Sequence, residues 1–149
     1  MEPRIERALF AAAPRDRVWR ALTDPAEFGA WFCATADGPF VPGARVRMTS
    51  THPSCPGLHF TIAIHEVAPP RSFSWRWHPG AQQPPEGSGA PTTHVEFRLE
   101  EERGGTRVTV TESGFEAIPP ERRAAVFQEN SQGWEEQMAS LSRYLARQA

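Results

Sequence analysis

The stretch SFSWRW, residues 72–77, decides the fold of this chain. It places Phe73, Trp75 and Trp77 on alternate positions, with polar residues between them. Side chains two residues apart on a strand lie on the same face, so the three rings form one apolar stripe. The stretch therefore predicts a strand with a buried aromatic face. The question it raises is whether that face is core alone or the wall of a cavity.

Segments on both sides of this strand share its period of two, which predicts a series of antiparallel strands. They are RIERALFAA, ARVRMTS, LHFTIAIHEV, THVEFRLE and TRVTVTES. The separators contain Gly and Pro, and RGG at 103–105 is short enough for a tight hairpin turn. Residues 79–91 are rich in Pro and Gly and are predicted to form a longer, mobile loop at one end of the sheet.

Helical spacing appears in two regions. After the first strand, Pro14 suits a first helical turn and Val18, Trp19 and Leu22 recur at helical spacing, which predicts a short helix that ends near Thr23. A second helix begins at Asp24, with Pro25 in its first turn and Glu27 completing a capping box. The C-terminal segment has a recurrent face made of Phe127, Asn130, Trp134, Met138, Leu141 and Leu145. The order predicts an α+β fold, a curved antiparallel sheet of about six strands wrapped around a long C-terminal helix.

The length, net charge and apolar content of the chain limit the class of protein to which it can belong. A chain of 149 residues is long enough for one domain with a sizeable core, so residues 1–149 are taken as a single domain. The net charge of -2 gives no electrostatic reason to expect a nucleic acid or membrane partner. No apolar run approaches the ~20 residues of a membrane span, and the start lacks a secretion signal, so we expect a cytoplasmic protein with reduced cysteines.

Five segments, taken in order, resemble a known superfamily. They are ALTDPAEFGAWF, FVPGARVRM, IHEVAPPRSFSWRW, HVEFRLEEERGGTRVTVTESGF and GWEEQMASLSRYL. Over residues 4–147 they are similar to the SRPBCC (START-like) superfamily, and within it to the group named after the activator of the heat-shock protein 90 ATPase. The resemblance implies a helix-grip fold, in which the sheet grips the C-terminal helix around a hydrophobic pocket. It also implies a range of functions, from small-ligand and lipid binders to polyketide cyclases, aromatases and a co-chaperone.

Alternation and the resemblance together give a candidate ligand pocket, although many of its residues are equally well explained as ordinary core. Its members are Trp31, Phe32, Phe60, Ile62, Trp75, Trp77, Val95, Phe97, Val110, Glu112, Phe127, Trp134 and Met138. The leading interpretation is a protein that binds a small hydrophobic ligand, of lipid, aromatic or polyketide-like character, between sheet and helix. An enzyme of the cyclase, aromatase or hydrolase type that uses the same pocket is the first alternative.

Two carboxylates continue the inward alternation, Glu66 after Ile64 and Glu112 after Val110. A buried carboxylate costs several kcal/mol unless it is paired. Glu112 is therefore the candidate general acid or base if the protein is an enzyme. The alternative is that both carboxylates sit at strand ends, where a bulge or twist turns them to solvent. This solvent-facing arrangement is the favoured expectation for both.

Four histidines, His59, His65, His78 and His94, fall on the outer face of the predicted sheet. No HxH or HxxxH pair fixes a metal site, so we expect neither a metal nor a cofactor, and a solvated face or homodimer contact explains them. A third function also stays open, an interaction protein that acts on heat-shock protein 90 through this face or residues 115–123. The co-chaperone carries a chaperone-binding domain before its helix-grip domain, whereas this chain starts with the latter, so a chaperone partner is not expected.

Overall fold

The computed structural model describes residues 3–85 and 87–147, and in these ranges seven antiparallel strands form one sheet, in the order β1-β7-β6-β5-β4-β3-β2. The strands are β1 (Ile5–Ala11), β2 (Ala34–Ala36), β3 (Arg45–Ser50), β4 (His59–Ala68), β5 (Ser72–Trp77), β6 (Thr93–Glu102) and β7 (Gly105–Ser113). The helices are α1 (Arg15–Thr23), α2 (Pro25–Phe32) and α3 (Pro120–Arg147), with a single 3-10 turn at Phe115–Ala117. This is the α+β helix-grip arrangement expected from the sequence.

The sheet has one strand more than the sequence pattern indicates. The additional strand is β2, which pairs with the end of β3 through Ala34 and Ser50. Three residues are too few to display a period of two, so β2 leaves no trace in the sequence. Its position depends on α2, which ends at Cys33 in the left-handed conformation, with φ of 63°. A Cβ atom on Gly29 in α2 would collide with the carbonyl oxygen of Ala34, so only glycine fits this junction.

The hairpin predicted at RGG is present. β6 and β7 pair as far as Glu102 and Gly105, which leaves a two-residue turn of Arg103 and Gly104 with φ of 50° and 77°. Two successive residues with positive φ are typical of the turn that joins strongly twisted strands. The turn fixes the register of β7 and therefore the face on which its residues lie.

The start of α2 confirms part of the predicted cap. The Asp24 carboxylate accepts a hydrogen bond from the backbone nitrogen of Glu27 at 3.0 Å. The Glu27 side chain does not complete a capping box, because it accepts hydrogen bonds from Arg17 at 2.8 Å, Arg20 at 2.9 Å and the Tyr144 hydroxyl at 2.7 Å. Glu27 therefore joins α1, α2 and α3 instead of capping its own helix.

This cluster makes the stability of the fold depend on pH. Burial of the Glu27 carboxyl opposes its charged form, but hydrogen bonds from Tyr144 and Arg17 outweigh burial and hold the pKa of Glu27 below its usual value. A pKa lowered by folding stabilises the native state at neutral pH, and this contribution is lost as the pH falls through the native pKa. We expect Glu27→Gln to cost about 1 to 2 kcal/mol at pH 7 and progressively less in acid. Urea unfolding from pH 7 to pH 3 measures this, with the exposed Glu116→Gln as control, and a cost that does not change with pH would contradict it.

Candidate functional site

A cleft of about 730 Å³ opens between α3 and one end of the sheet. Its aromatic surface consists of Phe32, Phe60, Trp77 and Trp134, all four from the predicted pocket. The remaining wall comes from Cys33 and from residues in three segments, 50–58, 78–83 and the face of α3 from 129 to 143. The cleft thus lies beside the aromatic interior, where two loops, the end of α2 and one face of α3 meet.

Most other members of the predicted pocket lie in closed core and do not line the cleft. They are Trp31, Ile62, Trp75, Val95, Phe97, Val110 and Met138. The physical reason is the position of α2, whose aromatic residues cover the inner face of the sheet. The ring of Phe28 lies 5.8 Å from that of Trp75, and the ring of Trp31 lies 6.1 Å from that of Phe97. α2 therefore fills the space that the alternation pattern alone would assign to a ligand.

Phe127 also lies away from the cleft. Its half-buried ring packs against Phe115 at 5.0 Å, beneath the first turns of α3. Helical spacing predicts that Phe127 shares the buried face of α3 with Trp134, but a helix of 28 residues extends well beyond one cavity.

Side chains of α3 fix the helix to the end of α2. The Ser140 hydroxyl donates to the carbonyl oxygen of Trp31 at 2.6 Å, and the Gln137 amide donates to that of Phe32 at 3.1 Å. The last carbonyl groups of a helix have no partner within the helix, so these two bonds satisfy groups that would otherwise need water. They hold the α2 end of the cleft in a defined place. Ser140 and Gln137 carried no signal in the sequence, because polar residues on a half-buried helix face are common.

Glu112 is completely buried, at 0% exposure, so the expectation that it turns to solvent is wrong. Its carboxylate accepts hydrogen bonds from Trp77 Nε1 at 2.9 Å, Thr93 Oγ1 at 2.5 Å and Trp134 Nε1 at 2.8 Å. Asn130 Nδ2 lies 3.0 Å from each of the two oxygens. The carboxylate stays inside because four side-chain donors satisfy its oxygens, which meets the requirement for burying such a group.

The Glu112 network supports the cleft from behind. Three of its donors, Trp77, Asn130 and Trp134, line the cleft, whereas Glu112 itself does not reach the cleft surface. The carboxylate therefore fixes the orientation of two indole rings and one amide that a bound molecule would touch. The sequence contained one signal for this network, because Asn130 is a polar residue on the otherwise apolar face of α3.

Glu66 behaves as the favoured interpretation predicted. The pairing of β4 with β5 shifts register between Ile64 and Glu66, and this bulge turns the Glu66 side chain to the exposed surface. Its carboxylate accepts a hydrogen bond from the Ser72 hydroxyl at 3.0 Å. Glu66 therefore belongs to the strand connection and not to the cleft.

The end of α2 and the β3–β4 connection bring thiols and hydroxyls to the cleft. Cys33 and Cys55 are both half-buried and both line the cleft. The Cys55 sulfur lies 3.4 Å from the Ser50 hydroxyl, and the nearby Ser54 hydroxyl lies 2.7 Å from His52 Nδ1. Sequence spacing gave no reason to bring the two cysteines to one site, since the chain between them forms two strands and a turn.

The outer face holds His59, His65 and His94, as alternation predicted, whereas His78 lies beyond the end of β5 and lines the cleft, with its Nδ1 3.0 Å from the carbonyl oxygen of Pro91. His59 and His65 are exposed, and the rings of His65 and His94 lie 5.4 Å apart. Burial, the Arg76 guanidinium and His65 lower the pKa of His94. In residues 3–85 and 87–147, no three His, Cys, Asp or Glu side chains are placed to hold a metal ion together. The helices of the same ranges include none that is long and apolar enough to cross a membrane.

Solved structures share this fold. Protein MLL2253 from Mesorhizobium loti superposes with a TM-score of 0.78 at 23% identity, over 99% of each chain. CalU16 from Micromonospora echinospora gives a TM-score of 0.65 at 22% identity, over 97% of this chain and 85% of its own. DynU16, described as a putative protein in the dynemicin biosynthetic locus, gives 0.72 at 24% identity over 98% of this chain. The chain spans 48% of DynU16, about half of that protein. At these identities the likeness establishes the fold.

Comparison by sequence places the chain in a family. No curated protein matches it. The profile of the family described as Activator of Hsp90 ATPase homolog 1-like protein matches residues 12–146, which run from the end of β1 to the last turn of α3 and include both sides of the cleft. The chain therefore belongs to the family of Activator of Hsp90 ATPase homolog 1-like proteins, within the SRPBCC superfamily.

Proposed function

We propose that the protein binds a small hydrophobic ligand, of lipid, aromatic or polyketide-like character, in the cleft between α3 and the sheet. The observation that supports this function is the cleft itself, about 730 Å³ in volume, which has four aromatic rings on its surface and polar side chains from α3 and from residues 50–58 and 78–83 around them. Small-molecule sites are typically cavities of roughly 300–1,000 Å³ that combine aromatic and apolar surface with polar groups that orient the ligand. DynU16 is described as a putative protein of a biosynthetic locus, so pathway intermediates belong among the compounds to test.

A catalytic role for Glu112 receives less support. A general acid or base must reach the proton that it transfers, within about 3 Å or through one water molecule. The Glu112 carboxylate is at 0% exposure, and its oxygens already accept bonds from four side chains. Its placement fits a positioning role behind the cleft wall, so binding is the function proposed here.

Gly133 offers a direct test of where the ligand binds. It lines the cleft from within α3, and a Cβ atom built on it meets open space. We expect Gly133→Phe to fill the cleft and weaken ligand binding at least about tenfold, because a ring of this size displaces the ligand from its apolar surface. The measurement is tryptophan fluorescence titration with fatty acids, sterols, flavonoids and polyketide-like aromatics, combined with thermal melting. A ligand that prefers the folded state must raise the melting temperature.

Two further experiments test whether the ligand binds in the cleft. Ala124→Phe adds the same ring to an exposed position of α3 outside the cleft and should leave affinity unchanged. Because Cys33 and Cys55 both line the cleft, a bound ligand should also slow their alkylation by iodoacetamide. Flat melting and fluorescence curves across the whole panel would refute the proposed function. Equal affinity in Gly133→Phe and the parent chain would place the ligand elsewhere.

A further inference from the structure

A serine and a histidine form a short hydrogen bond on the wall of the cleft. The Ser54 hydroxyl oxygen lies 2.7 Å from His52 Nδ1, and both residues line the cleft. The backbone nitrogen of Ser54 also donates to this Nδ1, at 3.0 Å. A backbone N–H can only donate, so Nδ1 carries the lone pair of the imidazole and the hydroxyl is its second donor. The hydroxyl proton of Ser54 therefore points at a nitrogen that can take it.

The loop that carries this pair is fixed by hydrogen bonds at its base. The carbonyl oxygen of Ser50 accepts from the backbone nitrogen of Gly57 at 2.8 Å, which closes the loop. The Ser50 hydroxyl accepts from the backbone nitrogen of His52 at 3.1 Å. The backbone nitrogen of Thr51 donates to the carbonyl oxygen of Cys33, at the end of α2, at 2.9 Å. These bonds hold the pair in a defined position relative to α2 and the cleft.

Two other hydroxyl–imidazole pairs in the molecule lie elsewhere. Thr49 Oγ1 is 3.1 Å from His59 Nδ1, and neither residue lines the cleft. Ser74 Oγ is 3.2 Å from His65 Nδ1, outside the cleft, and Ser74 is buried, where a substrate does not reach it. The pair on the cleft wall combines the shorter distance with exposure of both side chains. It is therefore the pair that is placed to react with a bound molecule.

We propose that Ser54 is a nucleophile with His52 as its general base, and that the protein cleaves carboxylic esters whose apolar chain lies in the cleft. A hydroxyl is a weak nucleophile until an adjacent base takes its proton, and the hydrogen bond to His52 provides such a base. This activity goes beyond binding, and it rests on the proposed function because the aromatic surface of the cleft must hold the apolar chain. It assigns the ligand to a chemical class, the esters of hydrophobic acids.

The reaction consists of two acyl transfers. In the first, Ser54 Oγ bonds to the carbonyl carbon of the ester while its proton passes to His52 Nδ1. This proton then goes to the departing alcohol oxygen as the C–O bond of the ester breaks. In the second, water attacks the acyl group on Ser54 and gives a proton to the same nitrogen, which returns it to the serine oxygen as the acid leaves. Ester and water are consumed, and an alcohol and a carboxylic acid are formed.

Alkyl fluorophosphonates test the nucleophile directly, because they form a P–O bond to an activated serine and release fluoride. We expect decyl fluorophosphonate to add a single label, at Ser54, measured by intact mass and peptide mapping. Ethyl fluorophosphonate should react at least about tenfold more slowly, since its short chain leaves the aromatic surface uncovered. p-Nitrophenyl decanoate should release nitrophenol beyond the first equivalent, because water restores the serine.

His52→Asn separates general-base catalysis from the structure of the loop. The asparagine oxygen still accepts a backbone N–H two residues ahead, as in an Asx turn, but it does not take a proton. We expect labelling to slow by about 100-fold, the usual scale of general-base catalysis. The melting temperature and the affinity for decanol, titrated by tryptophan fluorescence, should not change. Ser54→Ala should abolish labelling and also retain decanol binding.

The control is His59→Asn, which alters the hydroxyl–imidazole pair at Thr49, outside the cleft, and should label at the parent rate. Absence of a label at Ser54, equal rates in His52→Asn and His59→Asn, or nitrophenol release that stops at the first equivalent would overturn the esterase activity. Equal rates for the decyl and ethyl probes would overturn its link to the cleft. In each of these cases, saturable binding of decanol would leave the proposed function intact. Failure of decanol and of the whole ligand panel to bind would overturn the proposed function as well.

Discussion

Replacement of Glu112 by alanine is expected to cost about 4 kcal/mol of folding free energy, a large part of the roughly 5–15 kcal/mol that stabilises a typical domain. The substitution leaves the donors of Trp77, Thr93, Asn130 and Trp134 without the carboxylate that each one contacts. A buried donor without a partner costs about 1 to 3 kcal/mol. Thermal and urea unfolding measure the loss, and a melting temperature lowered by about 15 °C is expected.

Glu112→Gln separates the contribution of the hydrogen bonds to stability from that of side-chain shape, because glutamine has nearly the same shape as glutamate. One carboxylate oxygen accepts from Trp134 and the other from Trp77, so the amide nitrogen of glutamine faces an indole N–H in either orientation. We expect a loss of about 2 kcal/mol. The indole N–H signals of both tryptophans in a ¹⁵N correlation spectrum should move. Glu96→Gln on the outer face is the control. Glu96 is half-buried and forms an ion pair with the exposed Arg98, so its loss leaves no buried donor of the Glu112 network unpaired. A cost below about 1 kcal/mol for Glu112→Ala would disprove the role assigned to this network.

Gly29→Ala is expected to destabilise the protein by about 3 kcal/mol, since a new methyl group must be fitted against rigid backbone. The added Cβ collides with the carbonyl oxygen of Ala34, at the first residue of β2. The helix end, the left-handed Cys33 and the short strand all have to shift to admit it. Urea unfolding gives the change in free energy, and circular dichroism shows whether the helical content survives.

Gly133→Ala provides the control, because it is expected to raise the free energy of unfolding instead of lowering it. Gly133 also lies inside a helix, but its Cβ position is open. Gly133→Ala should stabilise the protein by about 0.5 to 1 kcal/mol, because alanine loses less backbone entropy in a helix. If both variants were destabilised equally, or if Gly29→Ala were neutral, the close approach of α2 to β2 would not exist in solution.

Local patterns were sufficient to predict most elements of this fold. The alternation at 72–77 and in its neighbours gave the strands, and the spacing of Trp134, Met138 and Leu141 gave the buried face of α3. The cap at Asp24 and the turn at Arg103 and Gly104 followed from residue chemistry alone. Each of these features depends on residues within a few positions of one another, so a single sequence contains the necessary information.

The candidate site was less predictable, because it depends on packing between distant segments. Alternation assigns Trp75 and Phe97 to the inner face of the sheet, but it does not say that α2 covers them. Glu112 sits near the end of β7, where exposure is the ordinary outcome, and its burial depends on Asn130 and Trp134 arriving from α3. The pattern therefore identified the right faces, whereas the tertiary contacts determine which residues meet a ligand.

The Glu112 network has a consequence for how this scaffold can diversify among relatives. Trp77, Asn130 and Trp134 serve the fold and the binding surface together, so a substitution there alters stability and recognition at once. Another part of the wall, at 52–58 and 80–83, consists of loop residues outside that network. Loops accept substitutions and insertions at a lower energetic cost than packed elements. Changes in ligand preference among relatives are therefore expected to arise from substitutions in the loop residues of the cleft. The residues Trp77, Asn130 and Trp134 are expected to vary less.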